Sequence, residues 1–466
     1  MRPADSQVLR GRRRFLSLGA AIAAGTLAPG AVGSLLAAAG APSRGAAGYG
    51  PLRPVADRTT GLGLLCLPEG FEYASFGWAG DPLADGTPTP KAHDGMGIVR
   101  TEGTVATLVR NHEQVRFDGA FGPAASQYDP NCAGGTVTLR FDLEAGKLID
   151  ARASLSGTLQ NCAGGVTPWG SWLSCEEFVS SMAHPSRGAA AARLTRDHGF
   201  VFEVPPEGGS SAQPLRGLGQ FRHEAAVVHA ASGAVYLTED MDPEAGFYRF
   251  LPDRPGRLGA GGRLQMLKAA GHPDLRHGVP RGRELAVEWV DIPQPERGVT
   301  PEHGPRGVQA QGLAAGASRF VRLEGCIVAG DTVFFTSTNG GDARCGQVFA
   351  YHVDRGTLSL VFESPSDRVL DYPDNLCVSP RGGLVLCEDS SQPVQRLYGL
   401  DRSGGLFELA ANNVVLDGSQ RGPAGDFRGA EWAGACFSGD GRWLFANIYS
   451  PGFSVAITGP WDRGPL

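Results

Sequence analysis

Several features that would identify common protein classes are absent from this sequence. No two cysteines have the C-x-x-C spacing, which argues against a zinc ribbon. No P-loop, G-x-S-x-G nucleophile motif or dinucleotide-binding glycine fingerprint occurs in a suitable context. Positive charge is not in excess, because 42 Lys and Arg face 48 Asp and Glu for a net charge of −6. This balance argues against a nucleic-acid-binding protein, and we expect no such partner.

Glycine and proline are abundant instead. The 466 residues include 68 Gly and 33 Pro, and both residue types are costly inside helices, which argues against a long helical bundle. Hydrophobic residues nevertheless make up 42% of the chain, and seven residues are Trp. Such a composition argues against disorder. Many short strands joined by turns satisfy both observations, so an all-β fold is expected.

The N-terminus has the pattern of an export signal. Three arginines at residues 12–14 precede a run rich in Ala, Gly and Leu over residues 17–41, as in twin-arginine signals. We therefore predict a signal peptide over residues 1–45, export by the twin-arginine (Tat) translocase to the periplasm or out of the cell, and one domain over residues 46–466. A membrane anchor is the alternative, but the run has few large apolar residues. No other segment could span a membrane, so stable membrane insertion is not expected.

Six segments of the mature chain share one layout. In each, an acidic residue or a cysteine opens a short apolar run, a turn follows, and a second strand ends in Glu, Asp or Asn. The spacing between the first and last of these residues is 15 in four segments, 16 in the last and 17 in the first. An inner hairpin plus an outer strand pair is typical of a propeller blade. The sequence therefore predicts a six-bladed β-propeller, with residues 252–318 as an inserted long loop region between blades three and four.

The opening residues of the six segments are predicted to form a ring, because the first strand of each blade lines the central channel. They are Asp94, Cys162, Glu224, Glu324, Asp374 and Glu431. Five carboxylates in one channel repel one another unless cations are bound. Carboxylate oxygens suit Ca²⁺, and a thiolate adds a preference for a transition metal such as iron or zinc. The alternative is that these residues only cap their strands through local hydrogen bonds.

Other polar residues lie near the predicted ring. Arg322 precedes Glu324 by two positions and therefore shares its face of the strand. A guanidinium beside a cation cluster is suited to binding a phosphate oxygen, although a salt bridge to a ring carboxylate explains the same spacing. Glu176, Glu177 and Glu388 end inner strands and are further candidates. Cys132 competes with Cys162, because residues 131–135 and 161–165 both read Asn-Cys-Ala-Gly-Gly.

Several longer stretches carry a family resemblance. They are residues 111–113 (NHE), 161–177 (NCAGGVTPWGSWLSCEE), 223–225 (HEA), 322–325 (RLEG), 374–376 (DNL) and 387–389 (CED). With these stretches the sequence resembles the PhoX-type alkaline phosphatases over most of the mature chain. The block from residue 161 to residue 177 is the most specific of them.

The resemblance implies a propeller that hydrolyses phosphate esters at a cluster of iron (Fe³⁺) and calcium (Ca²⁺). Cys162 would be the iron ligand, and Arg322 would bind the phosphate. The carboxylate ligands would be Glu224, Glu324, Asp374 and Glu431. Less specific matches are Glu177 and Glu388 as further metal ligands and Asn111 as a catalytic residue. We expect a monomer acting on small-molecule phosphate esters; the alternatives are a Ca²⁺-dependent propeller lactonase or esterase and a non-enzymatic ligand-binding propeller.

Overall fold

The computed structural model describes residues 48–184 and 193–466. The predicted signal peptide over residues 1–45 lies outside the described residues. Within them the chain forms 28 strands and one α-helix. No helix in this part of the chain is both long enough and apolar enough to cross a membrane.

The strands follow one another closely along the chain. The N-terminal part contains β1 (Arg53–Val55), β2 (Leu65–Leu67), β3 (Glu72–Phe76), β4 (His93–Glu102), β5 (Val105–His112), β6 (Gly134–Asp142), β7 (Lys147–Thr158), β8 (Asn161–Val166) and β9 (Trp172–Glu176). The central part contains β10 (Val201–Val204), β11 (His223–Val228), β12 (Val235–Glu239), β13 (Phe247–Pro252), β14 (Gly262–Ala269), β15 (Leu285–Asp291), α1 (Gly307–Ala314), β16 (Leu323–Ala329), β17 (Thr332–Ser337), β18 (Gln347–His352) and β19 (Thr357–Glu363). The C-terminal part contains β20 (Pro373–Val378), β21 (Leu384–Glu388), β22 (Arg396–Leu400), β23 (Leu406–Asn412), β24 (Val415–Leu416), β25 (Gly425–Asp426), β26 (Trp432–Phe437), β27 (Trp443–Ile448) and β28 (Phe453–Thr458).

Strands that are neighbours in the chain pair antiparallel and build the sheets. Two sheets have four strands, β4-β5-β6-β7 and β26-β27-β28-β3, and one has three, β8-β9-β10. Strands β20 to β23 carry β2 and β1 at their outer edge, and β24 pairs with β25. Strands β4, β8, β11, β16, β20 and β26, called here the inner strands, contact one another in a closed ring. The arrangement is all-β and propeller-like, which confirms that part of the predicted fold class.

Residues 252–318 differ from the prediction of a long loop region. Strand β14 pairs with β13, and β15 pairs with both β14 and β19, so that β11 to β19 form one nine-stranded sheet. The third and fourth predicted units are therefore joined and not separate. Helix α1 packs its Gly312 against Met266 of β14. The sequence pattern concealed β14 because Leu264, Met266 and Leu267 are buried on both faces of the strand, without a simple polar-apolar alternation.

An N-terminal strand completes the last sheet. Strand β3 pairs with β28, with Ser454 opposite Phe76 and Thr458 opposite Glu72. The two ends of the ring are thus joined by hydrogen bonds, which leaves fewer exposed strand edges. Large apolar rings fill the space between adjacent sheets; Phe76 of β3, for example, packs on Phe141 of β6 with ring centroids 5.0 Å apart. This packing makes a rigid wall around the inner strands.

All six inner strands carry an irregularity at the same place. The regular pairing between each inner strand and its partner is interrupted shortly after the strand begins. Such bulges bend a strand and redirect a side chain. Small residues are required here, since a Cβ on Gly95 would lie 2.5 Å from the backbone of Ala163, and a Cβ on Gly325 would lie 2.7 Å from the Asp374 carbonyl oxygen. The inner strands therefore approach one another closely where the predicted ring residues lie.

Candidate metal centre

Five of the six predicted ring residues occupy the same structural position. Each is the second residue of its inner strand, at the interrupted pairing, and each is at most 8% exposed. They are Asp94, Cys162, Glu224, Glu324 and Asp374. The bulge turns these side chains toward the centre of the ring of inner strands. The structure thus brings together the donors that the sequence pattern selected.

Glu431 is not in the register that the sequence predicted. The backbone N–H of Tyr449 donates to the Glu431 carbonyl at 3.2 Å, just as the N–H of Thr338 donates to the Arg322 carbonyl at 2.9 Å. Glu431 is therefore the counterpart of Arg322, and Ala433 occupies the ring position of the last inner strand. The side chain of Glu431 nevertheless reaches the cluster, where it shares a hydrogen bond with the carboxyl group of Asp389. Burial and then the carboxylates of Asp389 and Asp94 raise the pKa of Glu431.

A second tier of carboxylates lies beside the ring residues. Each is the first residue after the partner of an inner strand, and together they are Glu113, Glu177, Asp240 and Asp389. Sequence reasoning selected only Glu177 among them as a site residue. Asp240 and Asp389 could have been found from the sequence, because each is the second residue of an acidic pair at the end of a strand, Glu239-Asp240 and Glu388-Asp389. Successive side chains point to opposite sides, so only one member of each pair can face the centre.

The structure places Glu388, predicted as a metal ligand, away from the ring residues. Its carboxylate accepts the backbone N–H of Arg396 at 3.0 Å within its own sheet. Burial raises its pKa to about 8, and its charged neighbours are Arg396 and Asp371 and not the ring residues. Asp389 faces the centre instead, and its pKa is raised by burial. Glu176 also turns away from the centre.

The cluster contains two sets of side chains that could each hold a metal ion. Cys162, Glu177 and Glu224 bring one sulfur and two carboxylate ligand atoms within 4.8 Å of one another. Glu224 also belongs to the second set, in which Glu324 and Asp374 supply the other oxygens, again within 4.8 Å. The mixed sulfur and oxygen set fits a transition metal such as iron, and the set of three carboxylates fits a hard cation such as Ca²⁺.

The charges of this cluster are unbalanced without bound cations. Nine carboxyl groups interact across the centre, whereas two guanidinium groups of the described residues, those of Arg222 and Arg322, pair with them. Burial and then mutual repulsion raise the pKa of Glu224 and Asp374 well above the usual range. The pKa of the Cys162 thiol is raised by burial and by Glu224. Bound metal ions would replace the protons that these groups otherwise retain.

Two arginines lie at the edge of the cluster and remain partly exposed. Arg322 donates to Asp240 at 3.0 Å and to Glu324 at 2.5 Å, with 26% of its side chain exposed. Burial lowers the pKa of Arg322, but Glu324 and Asp240 more than offset this, so that the pKa is raised. Arg222 forms an ion pair with Glu177 and lies 3.8 Å from Asp240. Sequence reasoning missed Arg222, although it precedes Glu224 by the same two positions that separate Arg322 from Glu324.

Strained backbone is concentrated two residues before the ring position. Among the described residues outside glycine, six have positive φ, and four of these share that position: Ala92, Gln160, Arg322 and Tyr372. Arg322 has φ of 39°, a conformation that a long side chain rarely adopts. Strain of this kind costs of order 1–3 kcal/mol and persists where the surroundings impose it, commonly at functional sites. Here it turns the chain sharply before it enters the cluster.

The structure places Asn111, predicted as a catalytic residue, in a buried hydrogen-bond network. Its amide nitrogen donates to the carbonyl oxygens of Cys162 at 2.9 Å and Ala163 at 2.7 Å. Its amide oxygen accepts from Trp172 Nε1 and Ser174 Oγ, both at 2.9 Å. All of its polar atoms are therefore engaged inside the protein, and the side chain is fully buried. Asn111 therefore positions the strand that carries Cys162.

Replacing Asn111 with Ala is expected to lower the free energy of unfolding by about 3 kcal/mol, because it leaves buried donors and acceptors of two neighbouring strands unpaired. Urea denaturation measures this loss. Asn413→Ala is the matched control, since the Asn413 side chain makes an exposed hydrogen bond to the carbonyl of Gly63 and its removal should cost less than about 1 kcal/mol. A variant Asn111→Ala as stable as the wild type would contradict the positioning role.

Comparison with known families identifies the chain. A family model described as alkaline phosphatase PhoX matches residues 47–150 and 130–452, which together span most of the sequence. The chain belongs to the PhoX alkaline phosphatase family. No curated protein matches it.

Solved structures similar to this PhoX family member are distant in sequence. The periplasmic gluconolactonase of Pseudomonas aeruginosa is 15% identical, with 71% of this chain and 86% of that chain covered and a TM-score of 0.35. The PQQ domain of pyranose dehydrogenase from Coprinopsis cinerea is 11% identical, with 84% and 97% covered and a TM-score of 0.32. The β-propeller domain of Swd1 from Myceliophteria thermophila is 10% identical, with 78% and 84% covered and a TM-score of 0.32.

Membership of the PhoX family supports a phosphatase. The family is metal-dependent, which agrees with the donor sets of the centre, and it is generally exported. The two sets, Cys162, Glu177 and Glu224 on one side and Glu224, Glu324 and Asp374 on the other, are candidate metal sites in this PhoX chain. Arg222 and Arg322 lie beside these sets, where their planar guanidinium groups could bind a phosphate.

The raised carboxyl pKa values predict an unusual pH dependence for metal-free PhoX protein. In the unfolded chain Asp and Glu lose their protons near pH 4 to about 4.5, whereas Glu224 and Asp374 in the folded chain retain theirs to higher pH. The unfolded state therefore binds fewer protons above this range, and the free energy of unfolding falls as pH rises.

Urea unfolding of chelator-treated protein measures this dependence. We expect lower stability at about pH 8 than at about pH 5, and a gain on adding metal ions that is larger at the higher pH, because metal binding requires deprotonated ligands. Metal-free stability that increases over this interval would contradict the assignment of the cluster.

Proposed function

We propose that this protein is an exported phosphatase that hydrolyses phosphate monoesters at an iron and calcium cluster in the centre of the inner strands. One observation carries the proposal. A thiol-containing donor set and a carboxylate donor set share Glu224, and two partly exposed arginines lie beside them. Family membership supports a phosphatase, and the donor chemistry supports the choice of metals.

The residues have separate roles in this proposal. Cys162, Glu177 and Glu224 would hold Fe³⁺, and Glu324 and Asp374 would hold Ca²⁺ together with Glu224. Glu431 is proposed as a further ligand, because its side chain interacts with Asp389 and with the ring carboxylates. The bound ions would supply positive charge and Lewis acidity for the transferred phosphoryl group. The protein contributes a preorganised, buried set of donors that needs little rearrangement.

Arg322 is proposed to bind and orient the phosphate. Its guanidinium is held by Asp240 on one side and by Glu324 on the other. When the Glu324 carboxylate is used as a metal ligand, the N–H groups now donated to it become available for a phosphate oxygen. The Arg222 guanidinium lies 3.8 Å from the Asp240 carboxylate, which Arg322 also contacts. Arg222 is therefore proposed as a second guanidinium for the same phosphate.

The proposal also includes the number of blades, the extent of the domain, its oligomeric state and its route of export. We propose that the inner strands define six blades, supported by the closed ring of contacts among six strands. Residues 46–466 would form one monomeric domain, exported by the Tat translocase and acting on small-molecule phosphate esters. The arginines at residues 12–14 and the apolar run after them support the export route.

An assay of the purified protein with a chromogenic phosphate monoester tests the proposed activity. We expect turnover that is lost after chelation and restored by iron and calcium together. A lactone substrate and a metal-only binding assay run in parallel distinguish the other two functions. Lactone opening without phosphate release would favour a Ca²⁺-dependent lactonase, and metal binding without turnover of either substrate would favour a ligand-binding protein.

A further inference from the structure

A second cluster of potential metal ligands lies outside the central one. Asp129, Cys132 and His198 have ligand atoms within 4.8 Å of one another, and all three side chains are fully buried. Asp129 and Cys132 lie in a turn between β5 and β6 that is closed by the Cys132 N–H donating to the Asp129 carbonyl at 3.1 Å. Their three-residue separation equals that of the two cysteines in a C-x-x-C metal motif. His198 comes from the segment just before β10.

The distances in this second cluster suit a shared ion better than direct hydrogen bonds. His198 Nε2 lies 3.6 Å from Asp129 Oδ2 and 3.8 Å from Cys132 Sγ. An N–H···O hydrogen bond is normally 2.7–3.2 Å long, about 0.4 Å or more below the distance to Asp129. Around a tetrahedral ion with bonds of about 2.0–2.3 Å, neighbouring ligand atoms lie roughly 3.3–3.6 Å apart. The two His198 distances therefore need only a slight contraction to reach this range, and the ligand atoms of Asp129 and Cys132 lie within 4.8 Å of each other.

A fourth residue orients the histidine as metal sites require. His198 Nδ1–H donates a hydrogen bond to Glu176 Oε1 at 2.7 Å, which leaves Nε2 facing Cys132 and Asp129. A carboxylate behind the ligating imidazole is a common second partner in zinc sites. Glu176 is itself fixed by the backbone N–H groups of Leu159 and Gly199, both at 2.9 Å. The ring orientation is thus determined independently of the two other ligands.

The surroundings of His198 favour a positive charge. Burial lowers the pKa of His198, but the carboxylates of Glu176 and Asp129 more than offset this, so that the pKa lies well above its usual value. A divalent ion held by His198, Asp129 and Cys132 would supply such a charge, with release of the Cys132 thiol proton.

We propose that Asp129, Cys132 and His198 bind a divalent transition-metal ion, preferentially zinc, at a structural site separate from the central cluster. The nitrogen, sulfur and oxygen donors match zinc, and the fourth position would be taken by water or a backbone carbonyl. The two sites share no ligand. The ion would fasten the turn after β5 to the segment before β10, two pieces of chain far apart in sequence, and its contribution would be to stability and not to phosphate chemistry.

Metal analysis of the full-length protein, purified after growth with zinc, tests this site. We expect Cys132→Ser to hold one zinc ion per chain fewer than the wild type and to have a lower melting temperature. Its other metals should be retained, and its phosphatase kcat/KM should stay within about twofold of the wild type. Cys345→Ser is the matched control, because Cys345 is also buried in a loop but belongs to neither cluster. Equal zinc content in the wild type and Cys132→Ser would overturn the proposal.

A spectroscopic measurement covers the case in which Cys132→Ser does not fold. Cobalt substitution of a Cys162→Ala variant should retain a near-ultraviolet thiolate-to-cobalt band, since Cys132 still provides a thiolate ligand. Chelation should abolish the band, and rebinding of cobalt should release protons. Absence of the band in folded, cobalt-loaded Cys162→Ala protein would mean that Cys132 binds no metal and that a protonated His198 occupies the cluster.

Discussion

Replacing Glu224 with Gln should lower phosphatase kcat/KM by about 10³-fold or more and reduce the content of both iron and calcium. Glu224 is the residue common to the two donor sets of the centre. Its neutral amide is a poorer ligand for either ion, and loss of metal removes several kcal/mol of charge stabilisation from the transition state. Metal analysis and steady-state kinetics on the same preparation measure both effects.

The matched control for this variant is Glu288→Gln. Glu288 lies on β15 and forms an exposed ion pair with Lys268 at 2.9 Å, an interaction worth less than about 1 kcal/mol. We expect its metal content and kcat/KM to match the wild type. Full iron and calcium content in the Glu224→Gln protein would contradict the assignment of Glu224 as a shared ligand.

Replacing Arg322 with Ala should lower kcat/KM by about 10²- to 10³-fold while leaving metal content unchanged. The guanidinium is proposed to neutralise and orient the phosphate, and removal of one such donor typically costs this much. Inorganic phosphate should inhibit the variant more weakly. Arg322→Lys should recover part of the loss, because it restores the charge without the planar fork.

Arg263→Ala serves as the control for Arg322→Ala. Arg263 on β14 is largely exposed and lies 3.7 Å from Asp291, so its removal should not change kcat/KM. If Arg322→Ala stays within threefold of the wild type, or loses its metal, then Arg322 supports the metal centre and does not bind the phosphate. Arg222→Ala, measured in the same series, shows how far the second guanidinium contributes to phosphate inhibition.

The repeated layout made the ring residues visible in the sequence. Asp94, Cys162, Glu224, Glu324 and Asp374 each stand at the start of an apolar run, and the structure gives each of them the same place in its inner strand. The pattern succeeded because one local arrangement, a bulge at the start of a paired strand, recurs in every unit. The all-β, propeller-like class followed from the same repetition.

The sequence did not resolve which member of an acidic pair faces the centre. Glu388 and Asp389 are adjacent and chemically alike, and only the hydrogen bond from Arg396 assigns Glu388 to the sheet. Glu431 was assigned to the ring position that Ala433, two residues later, occupies, because spacing along the chain does not reveal where a bulge adds a residue. The pairing of β15 with the distant β19 likewise could not be read from the sequence. Strand β14 pairs with its chain neighbours β13 and β15, but it lacks the polar-apolar alternation that would have revealed it.

The repeated Asn-Cys-Ala-Gly-Gly run illustrates a further limit of sequence patterns. The same five residues at 131–135 and 161–165 place Cys162 in the central cluster and Cys132 beside His198. The pentapeptide alone could not separate these outcomes, because the surrounding ligands come from other segments. Tertiary contacts decide which donors each thiol meets.

Metal analysis of the purified wild-type protein, combined with its activity on a phosphate monoester, tests the central claim most directly. The account predicts iron and calcium in the protein, with phosphate release that falls in proportion as the two metals are removed. Protein that contains neither metal after loading, or that releases phosphate at an undiminished rate when both have been removed, would contradict it.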